Sequence, residues 1–365
     1  MNRLTNAAKY AVVIMLLIVT VSMMSGCKKN NTDVSSKLNK SDIEETSQDM
    51  TGSGIGDSDA GSQSAEETAE TESTEQTESD FEENTEQIET DAGQEETQNP
   101  YIREKEPYTG VPVYENLEHI YMNTTWEYAD HSAISDGYAV LYKASGQRKN
   151  IVVGVNAGHG TAGGSAVRTL CHPDGSLKST GGSTAAGAAT ATAVSGGMTF
   201  YDGTPESEVT LKMAEILRDK LLLEGYDVLM IRDSSDVQLD NVARTVICNN
   251  VADCHISLHW DGDGLSYDKG CFYIAVPDAI KNMSPVADHW QKHNALGASL
   301  VNGLGDVGMK IHGSGSMAID LTQTSYSTVP SVDMELGNAS SDHSDETLEM
   351  LANGLVNGVG AFFGY

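Results

Sequence analysis

Two histidines and two glutamates stand where a metal-dependent hydrolase would need them. His159 and His259 each come at or just after the end of a short apolar run, and Glu335 ends a third such run. Glu206 opens a stretch with the periodicity of a helix. Catalytic zinc takes three protein ligands and keeps a fourth position open. We therefore predict that His159, Glu206 and His259 bind Zn²⁺ and that Glu335 is the catalytic acid and base.

Each of these residues also has a simpler interpretation. A histidine between glycines, as in Gly158-His159-Gly160, is often only a turn residue. A glutamate in the first turn of a helix often only complements the helix dipole, and Glu208 could do so as well as Glu206. The ligands are also far apart in sequence, so the pattern is less specific than His-Glu-x-x-His. Their joint occurrence favours the metal site.

The surrounding sequence alternates strand-like and helix-like segments. Short apolar runs predict strands at residues 151–155, 228–231, 256–259, 271–276 and 331–335. Periodic apolar positions predict helices at 206–223, 239–247, 286–304 and 346–363. We therefore predict an α/β fold of three layers, with a twisted, largely parallel sheet flanked by helices. The carboxyl ends of its strands would bring the four residues to one edge.

Two segments lie outside this alternation. Residues 160–204 are dominated by Gly, Ala, Ser and Thr, and a loop of that length is expected to be mobile or functional. Residues 108–150 contain aromatic and apolar positions and are expected to pack on the edge of the domain at residues 151–365.

Six ordered segments between residues 150 and 365 carry a further signal. They are Val153-Gly154-Val155-Asn156-Ala157-Gly158-His159-Gly160, Glu206-Ser207-Glu208-Val209-Thr210-Leu211, Gly225-Tyr226-Asp227-Val228 with Arg232-Asp233, Leu239 with Arg244, Ala252-Asp253-Cys254-His255-Ile256-Ser257-Leu258-His259, and Pro330-Ser331-Val332-Asp333-Met334-Glu335-Leu336-Gly337. In this series the chain resembles the zinc-dependent N-acetylmuramoyl-L-alanine amidases, and the resemblance implies a phosphorylase/hydrolase-like fold. Each motif alone is modest, and the ordered series is fairly specific.

The resemblance implies a reaction and a role for each residue. His159, Glu206 and His259 would bind zinc, and Glu335 would accept a proton from water and donate it to the departing amine. The bond broken would be the amide between the lactyl group of N-acetylmuramic acid and L-alanine of the peptidoglycan stem peptide. Arg232 and Arg244 match framework positions, and we expect them to pair with Asp233 or Asp240.

The chain departs from the family pattern in three places. Asn156-Ala157 stands where the family usually has Asp-Pro, and that aspartate could orient the first histidine. Trp260-Asp261 follows His259 in place of a small residue and Asn. The loop at 160–204 is also longer than the family's connection and is a candidate lid or recognition loop.

The amino-terminal residues predict export and lipid anchoring. Basic Arg3 and Lys9 precede an apolar run at 11–19, and Ser25-Gly26-Cys27 resembles a lipoprotein cleavage site. We predict a signal peptide at residues 1–26 and lipidation of Cys27, which places the protein on the outer face of a bacterial cell membrane. A transmembrane helix is the alternative, but the run is shorter than the roughly 20 residues that span a bilayer.

Charge and composition separate the next segment from the rest. Residues 41–100 contain 20 Asp and Glu and no Lys or Arg, within a chain of net charge −31. We predict that residues 27–107 form a disordered acidic tether, with an acidic interaction tail as the alternative. The negative charge argues against nucleic acid as a partner.

Two further questions stay open at this point. The four cysteines after Cys27 permit disulfides in an exported protein, with three connectivities, or are small buried apolar residues. The site residues also suit an exported zinc carboxypeptidase acting on wall peptides, and a non-catalytic wall-binding lipoprotein is a third possibility. The retained zinc ligands and Glu335 argue against the last.

Overall fold

A computed structural model describes residues 114–365 of the chain, with side chains from Leu117 onward. The predicted signal peptide, Cys27 and the tether at 27–107 lie outside the described residues. The strands are β1 Tyr114–Tyr121, β2 Tyr138–Ala144, β3 Val152–Ala157, β4 Arg168–Leu170, β5 Thr190–Thr192, β6 Asp227–Met230, β7 Cys254–Asp261, β8 Cys271–Ala275, β9 Ile311–Ala318 and β10 Ser331–Asn338. The α-helices are α1 Glu206–Leu223, α2 Asn241–Val251, α3 Val286–Asp306, α4 Thr322–Tyr326 and α5 Asp345–Phe363.

Eight of the strands form one twisted sheet in the order β1-β2-β6-β3-β7-β10-β8-β9. The four central strands β6, β3, β7 and β10 are parallel to one another. Antiparallel pairing occurs toward both sides, between β2 and β6 and between β10 and β8. Since parallel strands end at the same edge, β3, β7 and β10 deliver their carboxyl ends to one place. The predicted α/β fold is confirmed.

Helices cover the sheet on both faces. Successive side chains of β6 and of the residue after it point to opposite faces of the sheet. Val228 and Met230 pack into a core with α1, α3 and α5, whereas Leu229 and Ile231 pack against α2. Helix α1 has the predicted bounds, since Val209, Met213, Leu217 and Leu221 bury one stripe and Gly225 ends the turn that follows with φ of 86°. The result is a three-layer arrangement.

Two parts of the sheet were not predicted as strands. Residues 114–144 supply β1 and β2, which extend the sheet at one edge. Strand β9 pairs with β8 at the other edge, and its sequence Ile-His-Gly-Ser-Gly-Ser-Met-Ala contains two glycines and few apolar residues. The sequence of β9 gives almost no strand signal. Glycine weakens strands, and most side chains of β9 are not buried, so no apolar pattern marks the strand.

The long segment at 160–204 is attached to the rest of the fold. It contains the two-stranded β4–β5 sheet and buries Cys171, Val194 and Phe200. Asp320, just after β9, is fully buried and accepts hydrogen bonds from the Ser179 amide and hydroxyl and pairs with His172 at 2.8 Å. The segment is therefore held by a polar contact at Asp320 as well as by a few buried apolar side chains.

The cysteines answer one of the sequence questions for the described residues. Within 114–365 all four cysteines, Cys171, Cys248, Cys254 and Cys271, are buried as free thiols. They behave as small apolar residues, and burial raises the pKa of Cys271 to about 12. No helix in this part of the chain has both the length and the apolar character to cross a bilayer.

We predict that Asp320→Ala loosens the long segment. Removing this carboxylate leaves His172 and the Ser179 amide without their buried partner, so unfolding should become easier by about 3–5 kcal/mol. Chemical denaturation measures that loss, and limited proteolysis should show new cuts between residues 160 and 204.

Asp278→Ala is the matched control, because Asp278 pairs with Lys281 at 2.6 Å while its side chain is 95% exposed. Exposed ion pairs contribute little, so this variant should behave as the wild type. Equal stability and equal proteolysis of the two variants would contradict the anchoring role of Asp320.

Candidate metal centre

Three ring and carboxylate atoms converge at the carboxyl edge of the sheet. The His159 Nε2 and Glu206 Oε1 atoms are 2.8 Å apart, and His259 Nδ1 lies 3.1 Å from each of them. Within residues 114–365 they are the one group of three His, Cys, Asp or Glu residues with metal-ligand geometry. The structure thus brings together the three residues that the sequence analysis predicts as metal ligands.

The donor set fits a tetrahedral divalent cation. Ligands about 2.0–2.1 Å from zinc stand about 3.3 Å from one another, close to the separations seen here. Burial would raise the pKa of Glu206, but hydrogen bonds and charge from His159 and His259 outweigh it and lower that pKa far below its usual range. Burial would lower the pKa of His259, but Asp333 and Glu206 raise it to about 10. Positive charge is therefore favoured at the point where the three residues meet.

His159 has an unusual backbone that its neighbours hold in place. Its φ is 64°, in the left-handed region that favours glycine. Arg244 donates to the His159 carbonyl at 2.6 Å, and Arg232 donates to the Gly158 carbonyl at 2.9 Å. These two hydrogen bonds stabilise the strained turn that orients the His159 ring. Strained backbone persists at functional sites when the surrounding structure holds it in this way.

The predicted pairing of the two arginines was wrong. Arg232 and Arg244 are almost fully buried and donate mostly to carbonyl oxygens, including those of Ala157, Gly158 and His159 where β3 ends. Asp233 instead accepts from Arg218, and Asp240 caps α2 by accepting from the Ala243 amide. Carbonyls at the end of a strand have no ladder partner, and a guanidinium with five donors satisfies several of them.

The long segment supplies the hydrogen-bond partner of the His159 ring. His159 Nδ1 lies 2.9 Å from the Ser195 carbonyl oxygen, which fixes the proton on Nδ1 and leaves the Nε2 lone pair for the cluster. Asn156 does not contact that ring. It donates to Ser257 Oγ at 2.8 Å and accepts from Arg244, so the Asn156 substitution leaves the ring's orientation intact.

Two glycines allow the rings to approach the backbone. A Cβ at Gly158 would lie 2.2 Å from the His259 ring. A Cβ at Gly197, where φ is 84°, would lie 2.8 Å from the His159 ring and 3.0 Å from Glu206 Oε2. Both positions require glycine for close approach, and Gly197 also requires it for its backbone. No sequence signal distinguished Gly197 from the many other glycines of its segment.

The structure separates Glu206 from Glu208. The Glu206 side chain is buried and accepts from the Met198 amide at 2.8 Å and from the Trp260 amide at 3.0 Å. Glu208 is exposed on the first turn of α1. The amide of Trp260, one of the departures from the family pattern, thus orients the carboxylate that faces the histidines.

Glu335 lies beside this cluster on the neighbouring strand. It is in register with His259 in the parallel β10–β7 pair, and its buried Oε2 atom has no hydrogen-bond partner among the described residues. Burial, and then the negative charge of Asp333, raises the pKa of Glu335 well above its usual range. A carboxyl group of that kind retains a proton that it can donate.

Asp333 is a neighbour that the sequence reasoning missed. It precedes Glu335 by two positions on β10, so both side chains leave the same face of the strand. Its Oδ1 atom is buried and likewise unpartnered within residues 114–365. The Asp-x-Glu spacing in a strand was the available signal.

Solved structures similar to this one include N-acetylmuramoyl-L-alanine amidases. The N-acetylmuramyl-L-alanine amidase Ami1 from Mycobacterium smegmatis is 19% identical, with 60% of this chain and 99% of that chain covered and a TM-score of 0.48. AmiC2 of Nostoc punctiforme is 16% identical, with 60% and 99% covered and a TM-score of 0.43. The amidase from Clostridium difficile 630 is 16% identical, with 59% and 97% covered and a TM-score of 0.42.

Sequence comparison gives the family. A comparison with curated proteins found no match. The profile of the N-acetylmuramoyl-L-alanine amidase family matches residues 153–354, more than half of the chain, and this range contains the three converging residues and Glu335. The chain belongs to the N-acetylmuramoyl-L-alanine amidase family.

Proposed function

We propose that this chain is a zinc-dependent peptidoglycan amidase that cleaves the bond between N-acetylmuramic acid and L-alanine of the stem peptide. His159, Glu206 and His259 would hold the zinc ion. The convergence of their three donor atoms within 3.1 Å carries this proposal, together with membership of the family.

The residues around the metal would divide the chemistry among them. A bound zinc ion supplies a Lewis acid that acidifies water and polarises a carbonyl group. Glu335 takes a proton from the attacking water and donates it to the amine nitrogen of L-alanine as the carbon–nitrogen bond breaks. The raised pKa of Glu335 supports the donating half of this role. Ser195 and Arg244 keep His159 oriented throughout.

The amino-terminal sequence supports a location for this activity. We propose that residues 1–26 are removed, that Cys27 carries the lipid anchor and that residues 27–107 are the tether of an extracytoplasmic enzyme. Residues 108–150 would then be an extension of a catalytic domain at 151–365. An anchor and a long acidic tether would let the domain reach peptidoglycan above the membrane.

Product analysis tests the proposed reaction. Purified peptidoglycan digested by the zinc-loaded protein should yield new L-alanine amino termini and free muramoyl lactyl groups. Glu335→Gln should lower the rate by about 10²- to 10⁴-fold, because the amide cannot move the proton.

Release of a carboxyl-terminal amino acid would assign the chain to the carboxypeptidases instead. Tight binding of peptidoglycan without any cleavage would indicate the non-catalytic wall-binding alternative. Either outcome contradicts the proposed bond while leaving the fold and family unchanged.

We also expect Gly197→Ala to weaken zinc binding by about 10- to 100-fold, as loss of an outer-shell contact does. The added methyl group meets the His159 ring and Glu206 Oε2 and disfavours the φ of 84°. Competition with a chelator measures the change in zinc affinity.

Gly196→Ala is the matched control, since a Cβ there has open space around it. It should bind zinc as the wild type does. If both variants keep wild-type affinity, the close approach of Gly197 to the ligands has no role in shaping the site.

A further inference from the structure

Three aromatic rings form an exposed group on the edge hairpin of the sheet. We name His119, Tyr121 and Tyr138 the aromatic platform. His119 stacks on Tyr138 with ring centroids 4.1 Å apart, and Tyr121 lies 5.3 Å from Tyr138. Tyr121 is 58% exposed and Tyr138 39% exposed. Large aromatic side chains are rarely left in water as a group without a partner.

The strand pairing explains why these rings share one face. Tyr121 is in register with Tyr138 across the β1–β2 pair, and side chains two positions apart leave the same face. Further along β2, Val140 and Tyr142 on that face are buried in the core with α1. Tyr138 lies beyond the stretch of β2 that the core buries, so the platform faces solvent.

The platform stands at the same edge of the sheet as the metal centre. Strand β2 is antiparallel to β6, so its first residue, Tyr138, lies where β6 and β3 end. Gly137 donates to the Gln238 carbonyl at 3.0 Å, and Val237 donates to the Gly160 carbonyl at 3.1 Å. Only β6 lies between β2 and β3, so the strand that carries Tyr138 is roughly 10 Å from β3. Strand β1, which carries His119 and Tyr121, lies one strand further out.

The exposed rings and their position indicate the class of ligand that the aromatic platform suits. A pyranose ring presents a flat face of C–H groups that packs on an aromatic ring, while its hydroxyl groups remain in water. A polymeric substrate whose scissile bond lies at His159 extends along its glycan strand over distances of this scale. We propose that the aromatic platform binds sugar units of that glycan strand, adjacent to the muramoyl residue at the metal centre. This inference rests on the proposed function.

A second copy of the chain is the competing occupant, because β1 is an edge strand. A stable dimer interface buries about 800 Å² on each partner, which three partly exposed rings fall far short of. The small size of the platform and its continuity with the candidate site favour a sugar.

The double variant Tyr121→Ala/Tyr138→Ala tests the platform. Its kcat/KM on polymeric peptidoglycan should fall about 5- to 10-fold, as expected for two lost ring contacts. Its kcat/KM on a soluble monomeric muramoyl peptide should stay unchanged, because that substrate does not reach the platform. Tyr121→Phe/Tyr138→Phe should keep wild-type activity on both substrates.

Tyr365→Ala is the matched control. Tyr365 is 65% exposed and lies beside Tyr226, which precedes β6, at the opposite edge of the sheet. It should lose nothing on either substrate. Equal losses on both substrates in the double variant, or no loss on the polymer, would overturn the proposal. A wild-type dimer that the double variant converts to monomers, with activity retained on the polymer, would also overturn it.

Peptide-free glycan strands separate this inference from the proposed function. If the wild type cleaves neither substrate, the proposed function fails, but co-sedimentation with these strands still tests the platform. Binding by the wild type and its loss in the double variant would support the platform. Equal binding by both proteins would overturn it.

Discussion

Two imidazole nitrogens and one carboxylate oxygen lie within 3.1 Å of one another at the carboxyl edge of the sheet. Such atoms repel unless a proton or a cation lies between them. Much of the surrounding structure works against that repulsion. Main-chain amides orient Glu206, the Ser195 carbonyl fixes one histidine ring, and buried arginines hold the turn that carries it. The site is preorganised for positive charge.

The long segment at 160–204 belongs to this preorganisation. It delivers the Ser195 carbonyl to His159 and the Met198 amide to Glu206, and its middle part is attached to Asp320 through His172 and Ser179. Its small residues are needed where the segment passes the ligands, as the contact distances at Gly197 show. The same segment therefore supports two of the three converging residues, His159 and Glu206.

The candidate site residues could be located from the sequence because they sit where strongly patterned elements begin or end. Helix α1 and the strand cores bury apolar stripes, so their periodicity was visible and Glu206, His259 and Glu335 could be placed. Strand β9 and the Arg232 and Arg244 contacts were not predictable in this way. The strand has little to bury, and a buried guanidinium chooses among carbonyls that only the folded backbone brings together.

Elemental analysis of bound zinc tests the central claim most directly. Wild type, Glu206→Gln and Glu208→Gln would be purified side by side, and the two glutamates differ by only two positions in the same helical turn. We predict about one zinc per chain in the wild type and in Glu208→Gln, and a large loss of zinc in Glu206→Gln. A wild type without zinc, or a Glu206→Gln variant that retains as much zinc as the wild type, would contradict the account.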